Sequence, residues 1–194
     1  MRFPQLVLRL PDWLEEALQD PGRVYLTAEE RMMAVIRLAQ LNVEHGTGGP
    51  FGAAIFEHEE GKLLAPGVNL VVPMSCSVAH AEIVAIAIAQ RMVGCFDLGG
   101  LGMPGYELVT STEPCAMCLG AVAWSGVRWL VCGARDEDAR RVGFDEGPKP
   151  TGWQQALEAR GIGVLTDMCR EQGAAILEQY GRTGGLIYNA RQGR

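Results

Sequence analysis

"YELVTSTEPCAMCLGAVAWSGVRWLVCGA", residues 106–134, decides the fold. "YELVTS" and "VRWLVCGA" are rich in β-branched and aromatic residues and read as strands. Between them "PCAMCLGAVAWSG" reads as a helix, with Pro114 in its first turn and Gly126 just past its end. Strand, helix and strand in succession are the rhythm of a parallel crossover, which places the chain in the α/β class.

Upstream, "TAEERMMAVIRLAQLNVEHG" (27–46) predicts a helix, because Thr27 and Glu30 have capping-box spacing and Gly46 supplies a stop. Strands are expected near 52–58 and 62–72, joined through a turn at Glu60 and Gly61 as an antiparallel hairpin. Residues 80–92, "HAEIVAIAIAQRM", suit a buried strand or a helix that is apolar all round; their length and alanine content favour the helix. Residues 11–20 predict a short amphipathic helix. Downstream, "DEDARRVGFDEGPKPTGW" (136–153) reads as a polar loop, and then "WQQALEARG", "IGVLTDM" and "CREQGAAILEQYG" as helix, strand and helix. The tail from Arg182 holds a lone apolar cluster, Leu186 to Tyr188, after two glycines, and reads equally well as a docking arm or a frayed end.

With 194 residues and 48% hydrophobic content, the chain can bury one good core, and no linker divides it. The 23 acidic against 17 basic side chains create no field that gathers phosphate backbone, so a nucleic-acid partner is disfavoured. No stretch has the character of a membrane span or a signal peptide, and a cytoplasmic location is expected. The six cysteines lack the density of a disulfide scaffold, so closely spaced ones read as metal ligands or redox groups.

Cys115 and Cys118 stand three apart at the start of the central helix, where the helix terminus favours thiolates. His80 opens another predicted helix. Together they make a Cys₂His set, which holds a tetrahedral zinc ion and leaves one position for water. A thioredoxin-like redox pair would sit in the first βαβ unit instead, and a structural zinc site would need a fourth ligand that the spacing does not supply. Glu82, two residues after His80, is costly to bury without a task. The combination H-x-E with P-C-x-x-C is the pattern of zinc deaminases, in which the glutamate shuttles protons without binding the metal.

Through "AHAE" (79–82) and "EPCAMC" (113–118) the sequence resembles the cytidine and deoxycytidylate deaminase-like zinc hydrolases. The resemblance implies a three-layer α/β/α sandwich with a mixed five-stranded sheet, one zinc ion per subunit between two helix N-termini, and a homodimer. It covers residues 27–181, leaving 1–26 as an N-terminal extension and 182–194 as a C-terminal tail open to exchange between subunits. "GGPFGAAI" (48–55), "EPCAMCLGA" (113–121) and "GFDEGP" (143–148) are most similar to the branch that deaminates guanine to xanthine. That similarity implies a small nucleobase substrate, with Glu82 carrying protons from a zinc-activated water and Glu146 as second acid or base. It implies base contacts from Asn69, from Phe51 and Phe144, which suit a core role equally well, and from Tyr188. Ala81 and the backbone of Leu119 to Ala121 are placed to meet the base edge. The rival readings are a tRNA adenosine deaminase, which would be expected to carry a basic cleft, and a deaminase of another amino-substituted azine or nucleoside.

Overall fold

The computed structural model describes residues 3–18 and 22–191. Its elements run α1 (Trp13–Ala17), α2 (Ala28–Glu44), β1 (Gly52–Glu57), β2 (Leu63–Val68), α3 (Ala81–Val93), β3 (Tyr106–Thr112), α4 (Ala116–Ser125), β4 (Trp129–Ala134), α5 (Asp136–Val142), α6 (Trp153–Glu158), β5 (Gly163–Leu165) and α7 (Arg170–Arg182). The five strands form one sheet in the order β2-β1-β3-β4-β5. β1 is antiparallel to both β2 and β3, whereas β4 runs parallel to β3 and to β5, so the sheet is mixed.

Alternation along the strands divides the core in two. Ala54, Phe56, Val109 and Val131 pack with Met32, Val35 and Ile36 of α2 on one face. Ala53, Ile55, Leu108, Leu130 and Cys132 point the other way, into the layer built by α3, α4 and α6. Period-2 burial with helices on both faces is the α/β/α sandwich that the resemblance implies.

The α2 helix begins on a complete capping box, Glu30 N donating to Thr27 Oγ1 at 3.1 Å and Thr27 N to Glu30 Oε2 at 3.1 Å. Residues 80–92 resolve as helix, since α3 ends at Gly94 in the left-handed region. The second strand is shorter than expected: β2 stops at Val68, and residues 69–80 form turns that lead into α3. The expected loop at 136–153 opens instead with a helix, α5. Asp138 accepts from Arg135 N at 2.9 Å, which caps the helix, and Arg170 of α7 donates to both Asp138 oxygens at 2.9 and 3.0 Å. Polarity alone did not distinguish that charged turn of helix from a loop. Of the helix expected at 11–20 the structure shows α1, and residues 19 and 20 lie outside the described residues.

Candidate active site between two helix starts

The site lies off the carboxyl end of β3, where ligands bind in open α/β sheets. His80 is the N-cap residue of α3 and Cys115 that of α4, both in extended backbone, while Cys118 sits one turn into α4. Their possible ligand atoms all lie within 4.8 Å of one another, the one such His/Cys/Asp/Glu group among the described residues. Cys115 Sγ stands 3.6 Å from His80 Nδ1. Ligands held at roughly 2.0–2.3 Å by a tetrahedral zinc ion are about 3.5 Å apart, so the three fit that ion. The hydrogen bond from the Cys118 thiol, helped by His80, lowers the Cys115 thiol to about 4. Burial works against a charged His80, but Cys115 and Glu82 outweigh it and raise its pKa. Cys118 keeps its proton through its bond to Cys115 and its burial, and metal binding would displace that proton.

Glu82 lies in the first turn of α3, almost fully buried, and burial pushes its carboxyl above the ordinary range. Glu146 arrives from the loop after α5. Burial first, then the charges of Cys115 and Glu82, raise its carboxyl to about 8. The loop is tied down on both sides: Ala116 N donates to Glu146 O at 3.0 Å, and Arg140 Nη2 to Gly147 O at 2.8 Å. Two buried carboxyls, both with raised pKa values, thus stand beside a metal-ligand trio.

Both carboxyls border a cavity of about 200 Å³, below the usual range for drug-sized ligands. Asn69, buried at the end of β2, faces it. Phe51 and Phe144 meet edge to face at 4.9 Å between centroids, and Tyr188 lies against Phe144 at 5.3 Å. The tail therefore packs against the cavity wall. Tyr180 Oη donates to Leu186 O at 2.8 Å, and Asn189 both donates to Gly143 O at 2.8 Å and accepts from Asp145 N at 2.9 Å. The Tyr188 hydroxyl and Thr112 Oγ1, both bordering the cavity, are buried without a protein hydrogen-bond partner.

The structure thus brings His80, Cys115, Cys118, Glu82, Glu146, Asn69, Phe51, Phe144 and Tyr188 together. It leaves Ala81 out: that residue is sealed in the core with its carbonyl packed against β2 at Gly67. The backbone of Leu119 to Ala121 is also withdrawn, because it lies inside α4 and Leu119 N donates to Cys115 O at 3.0 Å. Sequence reasoning missed Thr112 and Glu113, which border the cavity from the strand end. Glu113 forms a buried ion pair with Lys149 at 2.7 Å, a contact across 36 positions that no local pattern announces. It also missed Ser77 and Asn189, which come from a turn and the tail and carry no periodic signal.

A family model for the cytidine and deoxycytidylate deaminase zinc-binding region matches residues 26–134. The chain is similar to the guanine deaminase of Bacillus subtilis, 37% identical over 118 residues that span 61% of this chain and 71% of that one. It is similar also to a tRNA-specific adenosine deaminase of Haemophilus influenzae, 32% identical over 163 residues, covering 79% and 85% of the two chains. Among solved structures, the guanine deaminase of Nitrosomonas europaea superposes with a TM-score of 0.87 at 49% identity, covering 92% of this chain and 97% of that one.

Proposed function

Because the chain belongs to the cytidine and deoxycytidylate deaminase family and is a zinc-dependent hydrolytic deaminase, we propose that its substrate is guanine, which it converts with water to xanthine and ammonia. The observation that carries this reading is the second buried carboxyl, Glu146, in the same small cavity as Glu82. In guanine the amine leaves from C2, between N1 and N3, so protons are needed on opposite sides of one carbon.

Zinc held by His80, Cys115 and Cys118 would supply a Lewis acid that brings the acidity of water close to neutral pH. Glu82 accepts a proton from the attacking water and passes it to N3 as the C2–O bond forms. Glu146, whose burial holds its proton up to about 8, delivers it to the departing amine as the C2–N bond breaks, and the C2 hydroxyl gives its own proton to the Glu82 carboxylate as the C2 carbonyl forms. The Asn69 amide, which both donates and accepts, orients the edge of the base. Phe51, Phe144 and Tyr188 wall off water.

Residues 27–181 act as the catalytic unit, with 1–26 as an extension and 182–194 as the C-terminal tail, whose Tyr188 closes the cavity. A homodimer completes the molecule. Its contact is the solvent face of α4, where Met117, Gly120, Ala121 and the 85% exposed Trp124 form an apolar stripe.

Similarity to the tRNA deaminase keeps one competing substrate class in view. The small cavity under Tyr188 favours a free base over an anticodon loop. Ammonia release by the zinc-loaded protein is to be measured with guanine, guanosine, adenine, cytosine, cytidine, deoxycytidylate, an aminotriazine and an adenosine-bearing anticodon stem. Guanine is expected to react fastest; turnover confined to the RNA or a nucleoside would overturn the assignment.

A further inference from the structure

The segment before α2 gives more than apolar cover. Leu14 of α1 is buried in a cluster with Val68 and Leu70, the two neighbours of Asn69. Trp13 stacks on His45 at 5.3 Å between centroids and donates its indole N–H to Thr47 Oγ1 at 2.9 Å. Thr47 has one hydroxyl hydrogen, and the nearer of its two acceptors on Asn42 is Oδ1 at 2.8 Å, against 3.3 Å for the carbonyl. Asn42 is fully buried and spends its amide donors on Asn69 O and Gly49 O, each at 2.9 Å.

This chain of bonds runs in one direction only. An indole N–H can only donate and a backbone carbonyl can only accept, so Thr47 and Asn42 between them have no freedom to reverse. The passage is also tight: a Cβ on Gly48 would stand 1.9 Å from Asn69 O and 2.6 Å from Asn42 Nδ2. Beyond it, Asn69 N donates to Phe51 O at 3.1 Å, and Asn69 Oδ1 accepts from Val71 N at 3.3 Å. The backbone of Asn69 is thus gripped on one side by Asn42 and on the other by a residue of the cavity wall.

We propose that Trp13, Thr47 and Asn42 are positioning residues, a hydrogen-bonded relay through which the N-terminal helix fixes the backbone of Asn69 and so the direction of its amide in the cavity. The proposal deepens the functional reading above, since it rests on Asn69 contacting the base. The relay gives the N-terminal extension a part in substrate binding although none of its described residues borders the cavity.

The test uses the full-length, zinc-loaded protein. Trp13→Phe keeps the ring stacked and loses only the donor; Thr47→Val keeps the shape and breaks both links. Each should lower kcat/KM for guanine about fivefold, the worth of one uncharged hydrogen bond, with zinc content unchanged. A merely structural role would carry the same loss into any background. A positioning role predicts that the loss disappears when either change is combined with Asn69→Ala, because the group being positioned is gone. Equal losses in both backgrounds, or no loss in either, would overturn the relay. Amide hydrogen exchange supplies a readout that needs no substrate: Val71 N–H should exchange faster in Thr47→Val than in the wild type. If guanine is inert but that exchange speeds up, the relay stands and the substrate assignment falls; unchanged exchange at Val71 overturns the relay itself.

Discussion

Glu82 and Glu146 are both buried carboxyls, yet one was readable from the sequence and the other only by resemblance. Glu82 sits two residues from a ligand at a helix start, a placement with no structural purpose to compete with it. Glu146 lies in a charged loop, and nothing local distinguishes it from a solvated side chain. Ala81 shows the opposite failure, since the base contact expected of it falls on a residue that the helix turns into the core. The two carboxyls should respond differently to substitution. Glu82→Gln should cut kcat by at least about 100-fold, as removal of a proton shuttle does, while metal analysis finds zinc still bound. Glu146 has its pKa raised from 4.5 to about 8, so the folded protein holds this proton more tightly than the unfolded chain does. Wild-type stability should therefore decline as pH climbs from 4.5 to 8 relative to Glu146→Gln, whose side chain never ionises. Turnover that needs the protonated acid should fall above that upper value. Parallel melting curves and pH–rate profiles of the two proteins check both signs, and a constant difference in midpoint across the range would show that Glu146 titrates normally.

At the level of elements, α2, α4 and the β-α-β crossover were legible because each carries a punctuation mark beside its composition, whereas α3 was told from a buried strand only by its length and alanines. The α5 helix was not. Its stability comes from Asp138 receiving the α5 N-terminus and Arg170 together, and the second partner is 32 residues away. The docking of the tail was undecided for the same reason, since Tyr188 and Asn189 find their contacts only in the folded loop at 143–145. The junction of β2 with α3 carries a sharper dependence on sequence. A Cβ on Gly67 would stand 2.2 Å from Ala81 O and 2.6 Å from Ala85 N, both backbone atoms of the helix that begins at His80. Gly67→Ala must therefore push α3 away from the sheet, costing about 2 kcal/mol of stability and moving one zinc ligand relative to the two on α4. Zinc affinity, read by competition with a chromophoric chelator, should weaken along with the melting temperature. A variant that melts early but keeps wild-type affinity would mean that the ligand cluster follows α3 as a rigid body.

For the whole molecule, the α/β/α architecture followed from alternation and order of elements, whereas its association state leaves only a surface trace. No helix among the described residues is long and apolar enough to cross a membrane. The α4 stripe has helical spacing, with small Gly120 and Ala121 between the larger Met117 and Trp124. That profile suits a two-fold copy of itself, because each Trp124 can lie over the partner's shallow middle. The same helix holds Cys115 and Cys118 in its first turn, so covering its outer face also restrains the helix that carries two of the three ligands. Trp124→Glu removes the ring and sets a charge against the apolar middle of the stripe on the partner, where no counter-charge meets it. Analytical ultracentrifugation should find the wild type as a dimer and this variant as a monomer. Zinc should be lost to a chelator faster from the monomer, because α4 has lost its outer support. If Trp124→Glu sediments with the wild type, the stripe is not the contact. If it becomes monomeric with zinc retention unchanged, the dimer exists but the metal site is rigid without it.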